Sequence, residues 1–488
     1  MTHADDPGTP FADALERFAA LPLQRMIVPG HAADPAAAPD MARYFGERLL
    51  ALDVAKLVPG IDLEPDSPFY RSQALAAEAW GGSRTWFLTN GSSQANRIAA
   101  LALGFYRSSA DPVVVQRSTH SSFVDGIILA GLDARYVAPS LDRRLGIAHG
   151  VSVGALRDAL DANPGAKAAY VVSPSYFGAT ADIPALAALA HERGMPLIVD
   201  GAWGAHYGFH PALPPSPLTQ GADLVVMSTH KLGGSFTQSA MLHLGWSEFA
   251  RELEPLVERG FALEQSTSES ALLLASLDLA RHTLATGRER IGASLDLAER
   301  LRTLLRAGGR YRIASDGFGA FDDIVAVDPS RVSIDTAAAG LSGHTVREAL
   351  LERHHVQFEL STDATVLAII GPGTHPDVEA VAGWLHELEP EGGADAWFQA
   401  HELPLPGEQR LLAREAAFAP SVVLPAAEAV GRVSSESLAA YPPGIPNLMP
   451  GEVITAETVA YLQHTAAAPT GHVRGALDPQ VAHLRVVA

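Results

Sequence analysis

A hydroxyl, an imidazole and an ammonium group stand together in the segment VVMSTHKLGGSFTQ, residues 225 to 238. An apolar run typical of a buried strand ends at Ser228, and His230 and Lys231 follow before the chain continues into glycine. A lysine amine can bond covalently to an aldehyde, while a hydroxyl and an imidazole can donate hydrogen bonds to an anion. The segment therefore predicts a site for a ligand with both kinds of group.

A carboxylate is expected close to this lysine. Asp200 directly follows the apolar run PLIV and lies 31 residues before Lys231, so that both residues end neighbouring predicted strands. Parallel strands aim their carboxyl ends at one crevice. A buried carboxylate needs a cation or several donors, and a direct Asp200–Lys231 ion pair is one explanation. That pair leaves the neighbouring Ser228 and His230 unexplained.

An anion site is indicated by FLTNGSSQANRIAAL, residues 87 to 101, where an apolar start and a turn lead into a helix. The free N–H groups and positive dipole end at Gly91, Ser92, Ser93 and Gln94 suit a phosphate. Serine capping of an ordinary helix is the alternative explanation. The nucleotide-binding pattern G-x-x-x-x-G-K-[ST] is missing here.

An aldehyde, a ring nitrogen and a phosphate occur together in pyridoxal phosphate. Its aldehyde condenses with a lysine, its protonated ring nitrogen needs a buried carboxylate, and its phosphate needs N–H, hydroxyl and imidazole donors. The three segments together therefore predict a pyridoxal-phosphate site.

The elements that must position these residues follow an α/β pattern. From about residue 70 to 325, helical patterns alternate with the short apolar runs DPVVVQ, AAYVVS, PLIVD and ADLVVMS, which predicts a mostly parallel sheet covered by helices on both faces. Residues 1–69 contain the helical pieces FADALERFAAL and MARYFGERLLALDVAKL and predict an N-terminal arm without a strand. We expect a large cofactor-binding domain over residues 70–325.

Residues 326–488 predict a smaller C-terminal α/β domain. Strands are expected in FDDIVAVDPS, VQFELST and ATVLAIIGPG, and a helix in HTVREALLERHH. The segment VGRVSSESLAAYPPGIPNLMPGE is rich in proline and glycine. We expect this segment to close over another part of the protein rather than to pack a core.

Composition limits the classes of function. The net charge of −20 disfavours nucleic acid and anionic membrane surfaces as partners. The chain has no cysteine, which excludes disulfides, thiolate metal sites and thiol nucleophiles. No leader or membrane-length apolar run is recognised, so we expect a cytoplasmic protein. His206 and His210 have the i, i+4 spacing of metal ligands, but without a third ligand at a suitable spacing we predict no metal.

Seven segments carry a more specific resemblance. The chain resembles fold-type I pyridoxal-phosphate enzymes, and among them the bacterial ornithine/lysine/arginine decarboxylase family. The similar segments run in family order over about residues 70 to 455: TNGSSQAN, STHSSFVDGIILAGLDARYV, DGAWGAHYGFHPALP, GADLVVMSTHKLGGSFTQSAMLH, LLLASLDLAR, VQFELSTDATVLAIIGPG and YPPGIPNLMPGE. Without a receiver-like amino-terminal domain, the chain is similar to the short-form branch.

The resemblance implies roles for individual residues. Lys231 is implied to bind the cofactor aldehyde, Asp200 to pair with the ring nitrogen, and His120 and Ala202 to pack on the two ring faces. The resemblance assigns phosphate contacts to Ser93, Gln94, Ser228 and His230, with Thr267 and Ser268 reaching a phosphate in a neighbouring subunit. It places Glu436 near the far end of the substrate. A homodimer is therefore the smallest assembly expected.

Three departures from the family pattern leave the substrate open. Gly201 stands where an acidic residue usually follows the aspartate, and Ser121 stands where a lysine commonly follows the histidine. The pattern Pro-Gly-His-Lys ends here in Ala32. These departures affect the expected substrate more than the expected cofactor.

The resemblance implies decarboxylation of a small basic amino acid, namely lysine, arginine or ornithine. Lys231 or His230 is expected to return a proton to the α-carbon. Acidic residues available for a basic substrate are Asp62, Glu64, Asp66 and Glu436. Transamination, elimination or amine oxidation of another amino acid is the alternative within enzymes. A binding protein without turnover is the alternative outside them, although the intact Lys231, Asp200 and His120 disfavour it.

Overall fold

The structure, a computed structural model, describes residues 8–390, 403–441, 444–468 and 471–488. The helices are α1 (Pro10–Ala19), α2 (Pro39–Phe45), α3 (Glu47–Leu52), α4 (Pro68–Trp80), α5 (Gly91–Phe105), α6 (Ser121–Ala130), α7 (Val153–Ala162), α8 (Ile183–Glu192), α9 (Glu248–Glu264), α10 (Ala271–Ala285), α11 (Arg288–Gly308), α12 (Gly343–His354), α13 (Val378–Glu387), α14 (Ala413–Phe418), α15 (Ala426–Ala429) and α16 (Ala456–Ala467).

The strands are β1 (Arg84–Leu88), β2 (Val113–Gln116), β3 (Ala134–Val137), β4 (Leu141–Asp142), β5 (Ile147–Ala148), β6 (Ala168–Val172), β7 (Ala179–Thr180), β8 (Leu197–Asp200), β9 (Leu224–Met227), β10 (Ala240–Leu244), β11 (Arg312–Ile313), β12 (Ala326–Val327), β13 (Arg331–Asp335), β14 (Leu360–Ser361), β15 (Thr365–Ile369), β16 (Ser421–Pro425), β17 (Leu438–Tyr441), β18 (Ile445–Leu448), β19 (His472–Arg474) and β20 (His483–Val487).

A seven-stranded sheet with the order β1-β10-β9-β8-β6-β2-β3 forms the centre of the fold. The five strands from β9 to β3 in this order are parallel, whereas β10 and β1 are antiparallel to their neighbours. The prediction of a mostly parallel sheet is therefore confirmed. Asp200 pairs with Val226 across β8 and β9, so the two strand ends that precede Asp200 and Lys231 lie side by side, as the sequence predicts.

Both faces of this sheet are buried, which explains why its strands read as continuous apolar runs. Leu197 and Val199 of β8 belong to the core beside α8, while Ile198 between them belongs to the core beside α5 and α6. Successive side chains of a strand alternate between faces. Asp200 therefore shares the face of Ile198, toward α5 and α6.

The N-terminal arm is helical in its described part, residues 8 to 69, and contains no strand there. The piece MARYFGERLLALDVAKL differs from the prediction, because it is divided into α2 and α3. Gly46 separates them with a φ of +87°, a left-handed conformation that ends a helix. Helix α1 is tied to α10 by the backbone N–H of Phe11, which donates to Asp278 at 3.0 Å.

An antiparallel sheet of order β11-β13-β15-β14 follows in the C-terminal part. The predicted strand in VQFELST is wrong in length, because only Leu360 and Ser361 pair with β15 among the described residues. Strand β12, within FDDIVAVDPS, pairs with β7. Residues on both sides of the predicted 325/326 boundary therefore share a ladder, and the exact domain division stays a prediction.

The proline- and glycine-rich segment near residue 440 contacts another part of the protein, as expected, because the backbone N–H of Ser121 donates to the carbonyl of Gly444 at 3.3 Å. It also packs a core, which differs from the prediction. Strands β17 and β18 run through it, and Leu438 and Leu448 are buried in a core shared with Val473 and Leu484. In an antiparallel sheet with one face on the core, every second side chain of a strand is buried. Short apolar stretches between turns are therefore enough to build this core. Pro442 and Pro443 lie outside the described residues.

Candidate active site

Lys231 stands one turn beyond the end of β9. The chain winds as a single π-type turn over Thr229–Gly233, interrupted at Lys231 by a ψ of −109°. Its amine lies 3.9 Å from the ring centroid of Trp203, within reach of a cation–π interaction. Burial lowers the pKa of Lys231 to about 8, against the opposing effect of the Asp200 charge.

The direct ion pair considered as an alternative does not form. Within the described ranges, no carboxylate oxygen lies within ion-pair distance of the Lys231 amine. Asp200 instead accepts hydrogen bonds from the side-chain amide of Asn96 at 3.0 Å and from the backbone N–H of Ala202 at 3.1 Å. The hydroxyl of Tyr170 lies 2.9 Å from the same carboxylate. Neutral donors thus hold Asp200.

His120 caps the start of α6. Its Nδ1 accepts from the backbone N–H of Ser122 at 3.2 Å, so a neutral ring carries its proton on Nε2. Burial lowers the pKa of His120 to about 4, although the Asp200 charge acts in the opposite direction. The Asn96 amide that binds Asp200 also donates to Ser122 at 3.1 Å. One polar network therefore fixes both the neutral imidazole and the carboxylate.

The predicted phosphate end lies at the start of α5. Gly91 has a φ of +71°, which favours glycine, and its N–H donates to the carbonyl of Gln238 at 2.6 Å. The hydroxyls of Ser92 and Ser228 lie 2.6 Å apart. Two predicted phosphate ligands from separate strand ends are thereby brought together.

These residues surround a cavity of about 180 Å³. Phe177, Leu145 and Leu360 form apolar parts of its wall. Residues of the predicted cofactor site line the same cavity: Ser92, His120, Asp200, Ala202, Trp203 and Lys231. An aldehyde-reactive amine, a carboxylate and hydroxyl donors therefore face one enclosed space, as a pyridine aldehyde with a phosphate arm would require.

Other predicted phosphate contacts lie outside this cavity wall. Ser93 is half-buried in the first turn of α5. Gln94 is buried, and its amide binds the carbonyl of Glu264 at 3.1 Å and the side chain of Gln265. His230 lines an adjoining groove that also reaches Lys231, and its Nδ1 donates to the carbonyl of Ser239 at 2.7 Å. Their contact with a phosphate stays a prediction.

Three further predicted residues do not line the cavity. Thr267 and Ser268 are exposed on the loop between α9 and α10. Glu436 accepts a hydrogen bond from the backbone N–H of Arg485 at 2.8 Å, and burial raises the pKa of its carboxyl. The structure does not bring Glu436 to the cavity.

Sequence reasoning missed Asn96, Tyr170 and Trp203. Asn96 lies within SSQANR one helical turn after Ser92, a spacing that places both on one face of α5. Tyr170 is an aromatic residue in an apolar strand and gave no signal beyond core packing. Trp203 supplies a buried indole N–H that has no hydrogen-bond partner among the described residues.

The histidine pair considered as a metal site has other roles. His206 is fully buried and lies 3.1 Å from Asp328, whereas His210 accepts a hydrogen bond from the backbone N–H of Ala212. No cluster of three metal-ligating side chains occurs in the parts of the chain that the structure covers. Likewise, no helix in those parts is long and apolar enough to cross a bilayer.

Comparison with known proteins decides the family. The model for the major domain of Orn/Lys/Arg decarboxylases matches residues 9–317, and the model for their C-terminal domain matches residues 413–471. The chain belongs to the Orn/Lys/Arg decarboxylase family. The resemblance expected from the sequence is therefore confirmed, and the protein is an amino-acid decarboxylase.

Two relatives align with almost the whole length of this chain. The arginine decarboxylase of Bacillus subtilis is 35% identical and aligns over 93% of both chains. That of Halalkalibacterium halodurans is 33% identical over 94% of both chains. The solved structure of the Francisella novicida lysine decarboxylase superposes with a TM-score of 0.82 at 20% identity, covering 99% of this chain and 82% of that one. The fold-type I architecture is confirmed.

Proposed function

We propose that this decarboxylase holds pyridoxal phosphate on Lys231 and converts a dibasic amino acid to its amine and carbon dioxide. The observation that carries the proposal is the shared cavity of Lys231, Asp200 and His120, which brings an amine, a carboxylate and an imidazole to one wall.

The residues present fit the cofactor. Lys231 offers an amine of lowered pKa for the aldehyde, and Asp200 offers a hydrogen-bonded carboxylate for the ring nitrogen. His120 and Ala202 would lie against the ring, and the paired hydroxyls of Ser92 and Ser228 would hold the phosphate. The unpartnered indole N–H of Trp203 gives the same wall one more donor for a polar group.

Bound pyridoxal phosphate supplies an electron sink for the pair left behind when the carboxylate leaves. Asp200 would serve this chemistry by pairing with the protonated ring nitrogen, and the neutral groups of Asn96, Tyr170 and Ala202 hold its carboxylate in place. His120, with its lowered pKa, adds no positive charge near this carboxylate at neutral pH. The charge of Asp200 therefore remains available.

Lys231 is a better proton donor to the α-carbon than His230. With a pKa of about 8, the Lys231 amine is mostly protonated at neutral pH. Burial lowers the pKa of His230, and the N–H of its Nδ1 is already bound to the carbonyl of Ser239. His230 is therefore neutral with its remaining nitrogen as an acceptor. The structure favours Lys231 for this step.

Arginine is the first substrate to test, because both sequence relatives described above are named arginine decarboxylases. Lysine follows, since the structural relative is named a lysine decarboxylase. A homodimer is part of the proposal, supported by the exposed position of Thr267 and Ser268, which can reach a neighbouring subunit. A cytoplasmic location stays a prediction of the sequence.

The chain offers a clean test of the covalent site, because it contains only three lysines, Lys56, Lys167 and Lys231. The protein with added pyridoxal phosphate is reduced with borohydride, digested and mapped by mass spectrometry. We expect the pyridoxyl group on Lys231 and carbon dioxide release from arginine, lysine or ornithine. A pyridoxyl group found on Lys56 or Lys167 alone would contradict the proposal.

The matched control is Lys167→Ala, since Lys167 is also buried but donates to the carbonyl of Ser108. It should keep the pyridoxyl adduct and activity, whereas Lys231→Ala should lose both. Keto-acid, ammonia and peroxide are measured in parallel with the amine. Their release without carbon dioxide would favour another reaction at the same site.

A further inference from the structure

A dibasic substrate carries a second cation at its far end, and the acids considered from sequence do not meet it. Asp62 and Glu64 accept hydrogen bonds from backbone N–H groups of their own loop, at Val58 and Gly60. Asp66 is exposed in the same arm, and Glu436 binds the backbone of Arg485. Another carboxylate among the described residues lines the cavity and is available for this contact.

Asp363 is that carboxylate. Among the described residues, Asp200 and Asp363 are the two carboxylates that line the cavity of Lys231. Asp363 lies in the turn between β14 and β15 and keeps about a third of its side chain exposed, 32%. Asp200, which accepts hydrogen bonds from Asn96 and Tyr170, is the carboxylate proposed for the ring nitrogen, so Asp363 is the one that remains for the far end of a substrate.

Two histidines contact the carboxylate of Asp363. His464 of α16 lies 3.0 Å from one carboxylate oxygen and His344 of α12 lies 3.6 Å from the other. The Nδ1 of His344 lies 3.0 Å from the hydroxyl of Ser361, which can donate to it and leave the proton on the Nε2 that faces Asp363. Hydrogen bonding from His344 and His464 lowers the pKa of Asp363 to about 2. The carboxylate is therefore ionised and positioned from two separate helices.

Arg144, a basic residue of the same wall, already has a carboxylate partner other than Asp363. Arg144 forms an ion pair with Asp335 at 2.7 Å, and Asp335 is fully buried. Arg143 also has a partner within the protein. Tyr461, on α16 beside His464, completes the polar wall around Asp363.

We propose that Asp363 binds the distal cation of the substrate and thereby selects dibasic amino acids. This inference rests on the proposed function, because it assigns the far end of the same site. The distal group is an ammonium or guanidinium, and a carboxylate pairs with either through charge-assisted hydrogen bonds. Asp363 determines specificity and takes no part in bond breaking.

Glu359 is the competing carboxylate. It is exposed and lines the adjoining groove that also reaches Lys231 and Trp203. Glu359→Gln is therefore the matched comparison for Asp363→Asn, because each replaces one carboxylate by its amide. Asp363→Glu keeps the charge and tests rescue.

The experiment measures steady-state kinetics with arginine, lysine and ornithine, and calorimetric binding of the corresponding product amines to each holoenzyme. We expect Asp363→Asn to raise KM for the preferred substrate about 10- to 100-fold, with kcat within about threefold, because a contact present in both the ground state and the transition state is lost. Amine affinity should fall by a similar factor. Asp363→Glu should recover part of both losses, and Glu359→Gln should change neither by more than about threefold.

The outcomes separate this inference from the proposed function. If the wild type decarboxylates a dibasic amino acid and Asp363→Asn keeps its KM and amine affinity, the role of Asp363 is refuted and the function stands. If Glu359→Gln alone raised KM and weakened amine binding strongly, the distal cation would bind in the adjoining groove, and the role of Asp363 would again be refuted. If the wild type binds the amines without decarboxylating any dibasic amino acid, and the Asp363→Asn variant no longer binds them, the cation site stands and the proposed reaction fails.

Discussion

The lowered pKa of Lys231 makes the reactivity of its amine a quantitative prediction. Burial lowers this pKa to about 8 from an ordinary value of 10.5, because the cavity disfavours the charged form. Asp200 raises the pKa, so its charge limits the shift. Replacing Asp200 by Asn should therefore lower the pKa of Lys231 further.

The size of the effect follows from the titration equation. At pH 7 a lysine with a pKa near 8 has about one tenth of its amine unprotonated, whereas an ordinary lysine has about 0.03%. Burial in the cavity thus raises the unprotonated fraction of the Lys231 amine roughly 300-fold at pH 7. In Asp200→Asn, an opposite charge is lost from the same cavity, and a downward shift of about one unit or more is expected.

Reductive methylation with formaldehyde and cyanoborohydride measures this pKa on the protein without added cofactor, because the reagent is small enough to enter the cavity. Mass spectrometry gives the methylation rate of each of the three lysines between pH 6 and 11. The rate at Lys231 should rise about tenfold per unit up to pH 8 and then level off. Lys56, which forms an ion pair with Glu269, is the internal reference for the methylation reaction.

Two results would refute this reasoning. A Lys231 rate that continues to rise to pH 10 would show that burial does not control the amine. A plateau that moves to higher pH in Asp200→Asn would show that the sign assigned to the Asp200 charge is wrong. Circular dichroism of the variant excludes unfolding as the cause of either result.

Three substitutions test the scaffold of the site. Arg331→Met breaks a fully buried ion pair with Asp328 at 2.8 Å and should reduce the free energy of unfolding by about 3–5 kcal/mol in urea titrations. Gly91→Ala adds a Cβ that meets no atom closer than 3.9 Å, so its cost of about 1–2 kcal/mol should come from the φ of +71° alone. It should also shorten cofactor retention in dialysis. Tyr170→Phe removes a hydroxyl 2.9 Å from Asp200 and should cost about 1.5–3 kcal/mol, read from the same urea titrations. An unchanged denaturation midpoint in any of the three would contradict the contact assigned to it.

The sequence predicts the parts of this site that follow strand ends. Strands β2, β6, β8 and β9 are buried on both faces, so their apolar runs are visible without knowledge of the helices that cover them. Asp200 ends β8 and Lys231 follows the end of the adjacent parallel strand β9, so their proximity follows from that topology. Gly201, which stands where the family usually has an acidic residue, lies in a closely packed position, because a Cβ there would lie 3.3 Å from Val225.

The remaining parts depend on packing between distant segments. Asn96 lies in a helix whose rotation relative to β8 is set by the core, and nothing in SSQANR distinguishes it from a surface polar residue. Asp363 follows Lys231 by more than 130 residues and reaches the cavity through a short antiparallel turn. Its histidine partners come from two further helices. Spacing along the chain carries no signal of such an arrangement.

The C-terminal part of the chain, which includes Glu452 and Arg474, binds to residues next to His120. We therefore expect the way this part is anchored to affect which substrate binds. Arg117, directly beyond β2, forms a buried ion pair with Glu452 at 3.0 Å. The hydroxyl of Ser121, at the position where the family commonly has a lysine, accepts a hydrogen bond from Arg474 at 2.6 Å. A cation from β19 thus reaches the residue beside the histidine. Because these contacts hold the wall that closes the cavity, we expect loosening them to alter which amino acid binds before it alters the chemistry at Lys231.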